Sequence, residues 1–191
     1  EGARGTMRAT SDTGAGTVYN GINAGTPGAA NAVCVPEAMV GTCIENGFAR
    51  PIRPPGAGDL VITEVMANPG LAPASTGAWF EVLATRAVDL NDLTVATPTS
   101  DTLVNSMACV PVLPGEYVLF ARSADTFING GLPPPRQLYS SLTLTATQSR
   151  LYLRRGDAGI DEATYPASVN GVSIATSLEE ASTKMATIHR L

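Results

Sequence analysis

Leu60-Val61-Ile62-Thr63-Glu64-Val65-Met66, closed by Asn68-Pro69-Gly70, is the stretch whose texture decides the fold. Aliphatic and β-branched residues dominate it and the Asn-Pro-Gly that follows is turn chemistry, so it reads as a strand. Strict alternation puts Leu60, Ile62, Glu64 and Met66 on one face and Val61, Thr63 and Val65 on the other. Glu64 is thereby expected on an apolar face or at its edge, where a carboxylate needs backbone N–H or Arg partners.

Segments of similar texture recur downstream at 78–83, 93–96, 103–104, 116–121, 142–144, 150–154 and 160–165, with Gly and Pro between them. Short strands about ten residues apart with punctuated turns predict an all-β sandwich. Ser123-Ala124-Asp125-Thr126-Phe127-Ile128 reads as one helical turn, capped by Ser123 and stopped at Gly130-Gly131. Near the end, Ser177-Leu178-Glu179-Glu180 fits the capping-box pattern of a short helix and equally a loop.

Composition agrees with β structure. The 191 residues are 15% charged, with 19 Gly and 14 Pro, where helical bundles would need Glu, Lys, Leu and Arg. A net charge of −5, with Arg154-Arg155, Arg50 and Arg53 as the densest basic sites, argues against nucleic acid as a partner. No run of about 18 apolar residues predicts a membrane span, and Glu1-Gly2-Ala3-Arg4 does not begin a signal peptide.

The sequence breaks at the linker-like Arg50-Pro51-Ile52-Arg53-Pro54-Pro55-Gly56, which predicts a boundary near Gly58. Ahead of it, residues 10–30 are turn and loop chemistry, an irregular N-terminal arm. The three cysteines are Cys34, Cys43 and Cys109. A Cys34–Cys43 disulfide would close a ring of about ten residues and stabilise by roughly 2–3 kcal/mol. The spacing does not suit zinc or a redox CxxC, and Cys109 is then buried or bonded outside this chain.

Chemistry-bearing residues are sparse. His189 is the only histidine and lies near the terminus, so triads and general-base dyads lack their imidazole. No catalytic residue and no cofactor is expected. Glu64 and Glu81 could pair across neighbouring strands, as structural acceptors first and as Ca²⁺ ligands or acid–base groups second. Asp157 and Asp161 alternate in a turn but lack the spacing of a Ca²⁺ loop. Asp157 is also the last residue of an Arg155-Gly156-Asp157 triplet of the kind some adhesion receptors read. Trp79, the lone tryptophan, is expected in the core between sheets; exposed, it would be a stacking platform for sugars.

Gly58-Asp59-Leu60-Val61-Ile62-Thr63-Glu64-Val65-Met66-Ala67-Asn68-Pro69, with Ala78-Trp79-Phe80-Glu81-Val82 after it, resembles the opening of a lamin-tail domain. Val88-Asp89-Leu90, Pro114–Arg122 and Leu151-Tyr152-Leu153 fall in that family's order, over about residues 58–175. The resemblance implies an immunoglobulin-like β-sandwich and a noncatalytic structural or protein-interaction module. In bacteria such modules are secreted or sit in the cell envelope, in tandem. Leu83-Ala84-Thr85 stand where the family usually has an Asn, and no heptad pattern precedes the domain, so an intermediate-filament role does not carry over. Gly25-Thr26-Pro27-Gly28-Ala29-Ala30-Asn31 resembles the phrase that closes a repeat, yet lies ahead of the domain. The expected organisation is therefore a closing segment of a preceding repeat (1–33), packed against the sandwich, a cystine-bearing linker (34–57), and the sandwich itself (58–191). The expected partner is a protein, or a polysaccharide. The rival function is a Ca²⁺- or carbohydrate-dependent adhesion module, and behind it a hydrolase accessory domain.

Overall fold

A computed structural model describes residues 41–176 together with two short strands, β1 (Thr17–Val18) and β2 (Ala24–Gly25). The chain divides into two compact units, Glu1–Glu37 and Ala38–Leu191. In the first, β1 and β2 pair antiparallel. The proposed packing of 1–33, Cys34, the 177–180 capping pattern and His189 otherwise lie outside the described residues.

Among its described residues the second unit is all β apart from the single turn of α1 (Ala74–Gly77). Its strands are β3 (Thr42–Glu45), β4 (Phe48–Pro51), β5 (Leu60–Met66), β6 (Trp79–Ala84), β7 (Val88–Asp89), β8 (Thr94–Ala96) and β9 (Asp101–Leu103). They continue as β10 (Pro111–Val112), β11 (Tyr117–Ala121), β12 (Gln137–Leu138), β13 (Ser149–Arg155), β14 (Ala158–Tyr165) and β15 (Ile174–Ala175). One sheet runs β12-β11-β6-β5-β15 and the other β14-β13-β8-β9, with β10–β7 and β3–β4 as separate ladders.

The two sheets share one core. Leu60, Ile62, Val65, Phe80, Val82, Val118 and Phe120 from the first meet Val95, Leu151, Leu153, Ile160, Ala163 and Tyr165 from the second in a single buried cluster. This is the two-layered interior expected of a sandwich. Phe80 stacks on Phe120 with centroids 4.6 Å apart, and Tyr139 leans against Phe80 at 5.7 Å. Offset aromatic pairs at such distances add to plain burial.

Alternation within β5 holds only to Ile62. Ile62 pairs with Val82, but the next partnership is Glu64 with Glu81, so Thr63 is an extra residue. A bulge of this kind moves everything after it to the opposite face. Leu60, Ile62, Val65 and Ala67 are therefore the core residues, and Glu64 and Met66 turn outward. The expected grouping of Glu64 with the apolar face is corrected accordingly.

The stretch read as a linker is also corrected. From Thr42 to Pro51 it is an antiparallel hairpin, with Glu45 opposite Phe48 across Asn46-Gly47. Both turn residues have positive φ, 53° and 82°, which a tight two-residue hairpin requires and which Asn and Gly tolerate best. The hairpin belongs to the unit that begins at Ala38 and lies along residues 107–109. Ile44 N–H donates to Met107 O at 2.8 Å and Cys109 N–H to Ile44 O at 2.9 Å.

That contact decides the disulfide. Cys43 is bonded to Cys109, with Cα atoms 4.9 Å apart, and so does not pair with Cys34. Nearness in sequence favoured the short ring; the ladder between β3 and residues 107–109 presents the distant partner instead. Asn91 organises the same corner. Its side chain is buried, donates to Ser106 O and Ala108 O at 2.9 and 2.8 Å, and accepts from Val110 N–H at 2.8 Å. Asn91→Ala leaves three backbone groups short of a partner and is expected to cost about 2–3 kcal/mol, read by urea denaturation.

Candidate functional site

Trp79 does not sit between the sheets. Phe80 and Val82 take the inward positions of β6, while Trp79, Glu81 and Leu83 face outward and are only partly buried. The expectation of a core tryptophan is thus overturned by a one-residue phase difference, with Phe80 filling the place assigned to it. Register carries the same face across the sheet: Trp79 lies opposite Ala121, Glu81 opposite Leu119 and Leu83 opposite Tyr117.

The outcome is a groove of about 320 Å³ on the outer face of the five-stranded sheet. Trp79, Tyr117 and Leu119 form its floor, and Leu132, Pro133 and Pro134 from the β11–β12 connection form its wall. Glu81, between Trp79 and Leu83 on β6, and Arg136 bring charge into the same lining. Arg136 is held by donating to Pro111 O at 2.9 Å. Glu81 Oε1 accepts from Thr63 Oγ1 at 2.8 Å, so the bulged residue orients the carboxylate. An aromatic floor with a few fixed polar groups suits a bound side chain or sugar ring.

Of the weak metal candidates, Glu64 and Glu81 are brought face to face across β5 and β6. Like charges directly opposed cost stability. Among the described residues no group of three or more His, Cys, Asp and Glu forms a cluster that could hold a metal. Asp157 lies exposed in the β13–β14 turn. Asp161 is elsewhere, accepting from Ile62 N–H at 2.9 Å through Oδ2 and so tying β14 to β5. The structure does not bring these four residues together. In the Arg155-Gly156-Asp157 triplet, Arg155 Nη2 is 3.5 Å from Asp92 Oδ2, which turns the guanidinium away from presentation at the hairpin tip.

Among the described residues, the densest cluster of ion pairs lies at a place sequence reading missed. The Asp89 side chain is fully buried, and Arg50 grips it with two hydrogen bonds of 2.6 and 2.9 Å. Arg53 adds its backbone N–H at 2.7 Å and its guanidinium at 3.2 Å. Glu45 accepts from Arg50 Nε at 2.8 Å. Burial pushes the Asp89 carboxyl up, but the Arg50 and Arg53 hydrogen bonds outweigh it and hold the group well below the usual carboxylate range. Because Arg50 and Glu45 belong to the β3–β4 hairpin and Asp89 to β7, this cluster fastens the hairpin to the sandwich. Its groups are saturated by one another, which suits anchoring better than catalysis. A second buried polar group, the Tyr139 hydroxyl, donates to Ala78 O at 2.9 Å, and burial raises its pKa far above the ordinary phenol value.

No family model matches the sequence, and no curated protein matches it. Among the described residues no helix is long and apolar enough to cross a membrane. The Cys43–Cys109 bond, with Cys43 buried, is of a kind that persists in oxidising surroundings.

Proposed function

We propose that this chain is a noncatalytic interaction module of a secreted or cell-envelope protein, an immunoglobulin-like sandwich of the lamin-tail kind that binds a protein partner. The observation that carries this reading is the outward Trp79 in a groove with Tyr117 and Pro133-Pro134. Partly exposed aromatic residues on a rigid sheet are the usual anchors of protein recognition, because they offer large area at small entropic cost. The disulfide supports an extracellular or envelope setting.

The reading is tested by placing a photo-crosslinking amino acid at Tyr117, in the groove, and at Thr164, on the outer face of the opposite sheet. A defined partner joined from the Tyr117 position and not from Thr164 supports it. Equal yields from both positions contradict it. The outward Trp79 beside Glu81 and Arg136 specifically favours one second reading, a sugar stacked on the indole. Tryptophan emission reports it directly, since Trp79 is the only fluorophore of its type. Neutral oligosaccharides and Ca²⁺ that leave the emission unchanged exclude the adhesion reading and keep the protein-binding one.

A further inference from the structure

At one end of the sandwich three connections converge, and none is used by the groove's floor. They are residues 67–78 between β5 and β6, 122–136 between β11 and β12, and 166–173 between β14 and β15. Gly171 N–H donates to Asn68 O at 2.9 Å. Thr76 Oγ1 donates to Ile128 O at 2.8 Å, joining the first connection to the second. A Cβ on Gly70 would lie 3.1 Å from Gly171 Cα, so the first and third connections meet where glycine leaves room, and one on Gly77 would lie 2.6 Å from Ala72 Cβ within the first. Gly77→Ala is expected to cost about 1–3 kcal/mol by overpacking, visible as a lower urea midpoint.

This held platform displays bulky apolar side chains. Leu71 is 92% exposed and Phe127 97%, with Ile128, Val169 and Val172 about half exposed or more. The sequence around them is nearly free of charge. Residues 67–78 and 166–173 contain no Asp, Glu, Lys or Arg, and 122–136 carries Asp125 with Arg122 and Arg136 at its two ends.

At the Phe127 tip the backbone N–H groups are bonded from within. Phe127 N–H donates to Asp125 Oδ1 at 2.9 Å, Asn129 N–H to Asp125 O at 2.9 Å, and Gly131 N–H to Thr126 O at 3.1 Å. The side-chain Oδ1 of buried Asn129 accepts from the N–H groups of Gly131 and Leu132, each at 3.0 Å.

We propose that this end of the sandwich is a lipid-surface contact, in which Leu71 and Phe127 enter the boundary between headgroups and acyl chains. A projecting apolar tip with self-bonded backbone can leave water without stranding polar groups. The two arginines of these connections, Arg122 and Arg136, lie at strand ends and donate to Ser140 O, Leu142 O and Pro111 O, so the tips themselves fit zwitterionic lipid and offer little to anionic headgroups. A protein pocket for two projecting tips would be the rival occupant.

The test uses the full chain and flotation with vesicles of phosphatidylcholine alone, and with part of it replaced by phosphatidylserine. Co-flotation with phosphatidylcholine, not strengthened by phosphatidylserine, is expected. Leu71→Ser and Phe127→Ser should each weaken it about tenfold, while Phe127→Leu retains it. Both serine variants alter exposed side chains, and unchanged melting temperatures confirm the fold. Three results overturn the proposal: no co-flotation, co-flotation that the serine variants keep, or co-flotation that requires phosphatidylserine. Self-association abolished by the serine variants in the absence of vesicle binding would reassign the surface to a second copy of the chain.

Discussion

Asp89→Ala is expected to destabilise the sandwich unit by about 3–5 kcal/mol, the range for breaking a buried ion pair from one side. The substitution leaves the Arg50 guanidinium, only 22% exposed, with Glu45 as its remaining carboxylate and frees the Arg53 N–H as well. Asp89→Asn keeps the shape and loses the charge, and should lie close to the alanine variant if charge pairing is what matters. A paired apolar replacement of Asp89 and Arg50 is expected to recover much of the loss, because two desolvation penalties vanish together.

The same carboxylate sets an acid dependence. Its folded-state pKa is depressed, so the folded protein holds the ionised form at pH values where the unfolded chain is already taking up a proton. The stabilisation is complete above the unfolded value of about 3.9 and is lost progressively as pH falls from there toward the lower folded value. Urea midpoints compared between pH 7 and pH 3 check this. The wild type should lose more than Asp89→Asn across that interval, since the variant has no such proton to bind.

Removing the Cys43–Cys109 bond is the other large effect. The bridge spans 66 residues, and a loop of that size gives about 4 kcal/mol in the chain-entropy account. Reduction should therefore lower the urea midpoint substantially, and Cys109→Ser should behave as the reduced protein does. Without the bridge the β3–β4 hairpin loses its covalent tie to residue 109, so it should become open to proteolysis near Asn46-Gly47 before the sheets unfold. Peptide mapping without reduction gives the connectivity. A fragment joining Cys43 to Cys109 is expected; a Cys34–Cys43 fragment would return the assignment to the short ring.

The long strands were legible because each carries its own signal. Leu60–Met66, the segments around Trp79 and Tyr117, and the hairpin of β13 and β14 are apolar runs between turn residues, and they form the two sheets. The Ser123–Ile128 segment, expected as one helical turn, is a non-helical turn; Ser123 Oγ does accept from Asp125 N–H at 3.1 Å, and Asp125 accepts from Phe127 N–H and Asn129 N–H. Asn46-Gly47 between two short strands is a strong hairpin signal, overlooked because the prolines after it suggested a linker. Pro51 ends β4 at Thr42, where the missing N–H does no harm.

What could not be read is what depends on partners far along the chain. Alternation in β5 gives no sign that Thr63 bulges, and that one residue moves Glu64 out of the core. Trp79 and Phe80 are adjacent aromatics, and composition does not say which turns inward. The Arg50–Asp89 pair joins residues 39 apart, and nothing local marks either as the other's partner. The candidate groove depends on the same undecidable step.

Acrylamide quenching of the lone tryptophan tests that step directly. With Trp79 on the outer face of the five-stranded sheet, its emission should be red-shifted relative to a buried indole and substantially quenched in the native protein. Tyr117→Ala, which opens the groove floor, should increase quenching while Phe80→Leu should not. A blue-shifted emission that acrylamide barely reaches would place the indole between the sheets and remove the groove on which the interaction reading rests.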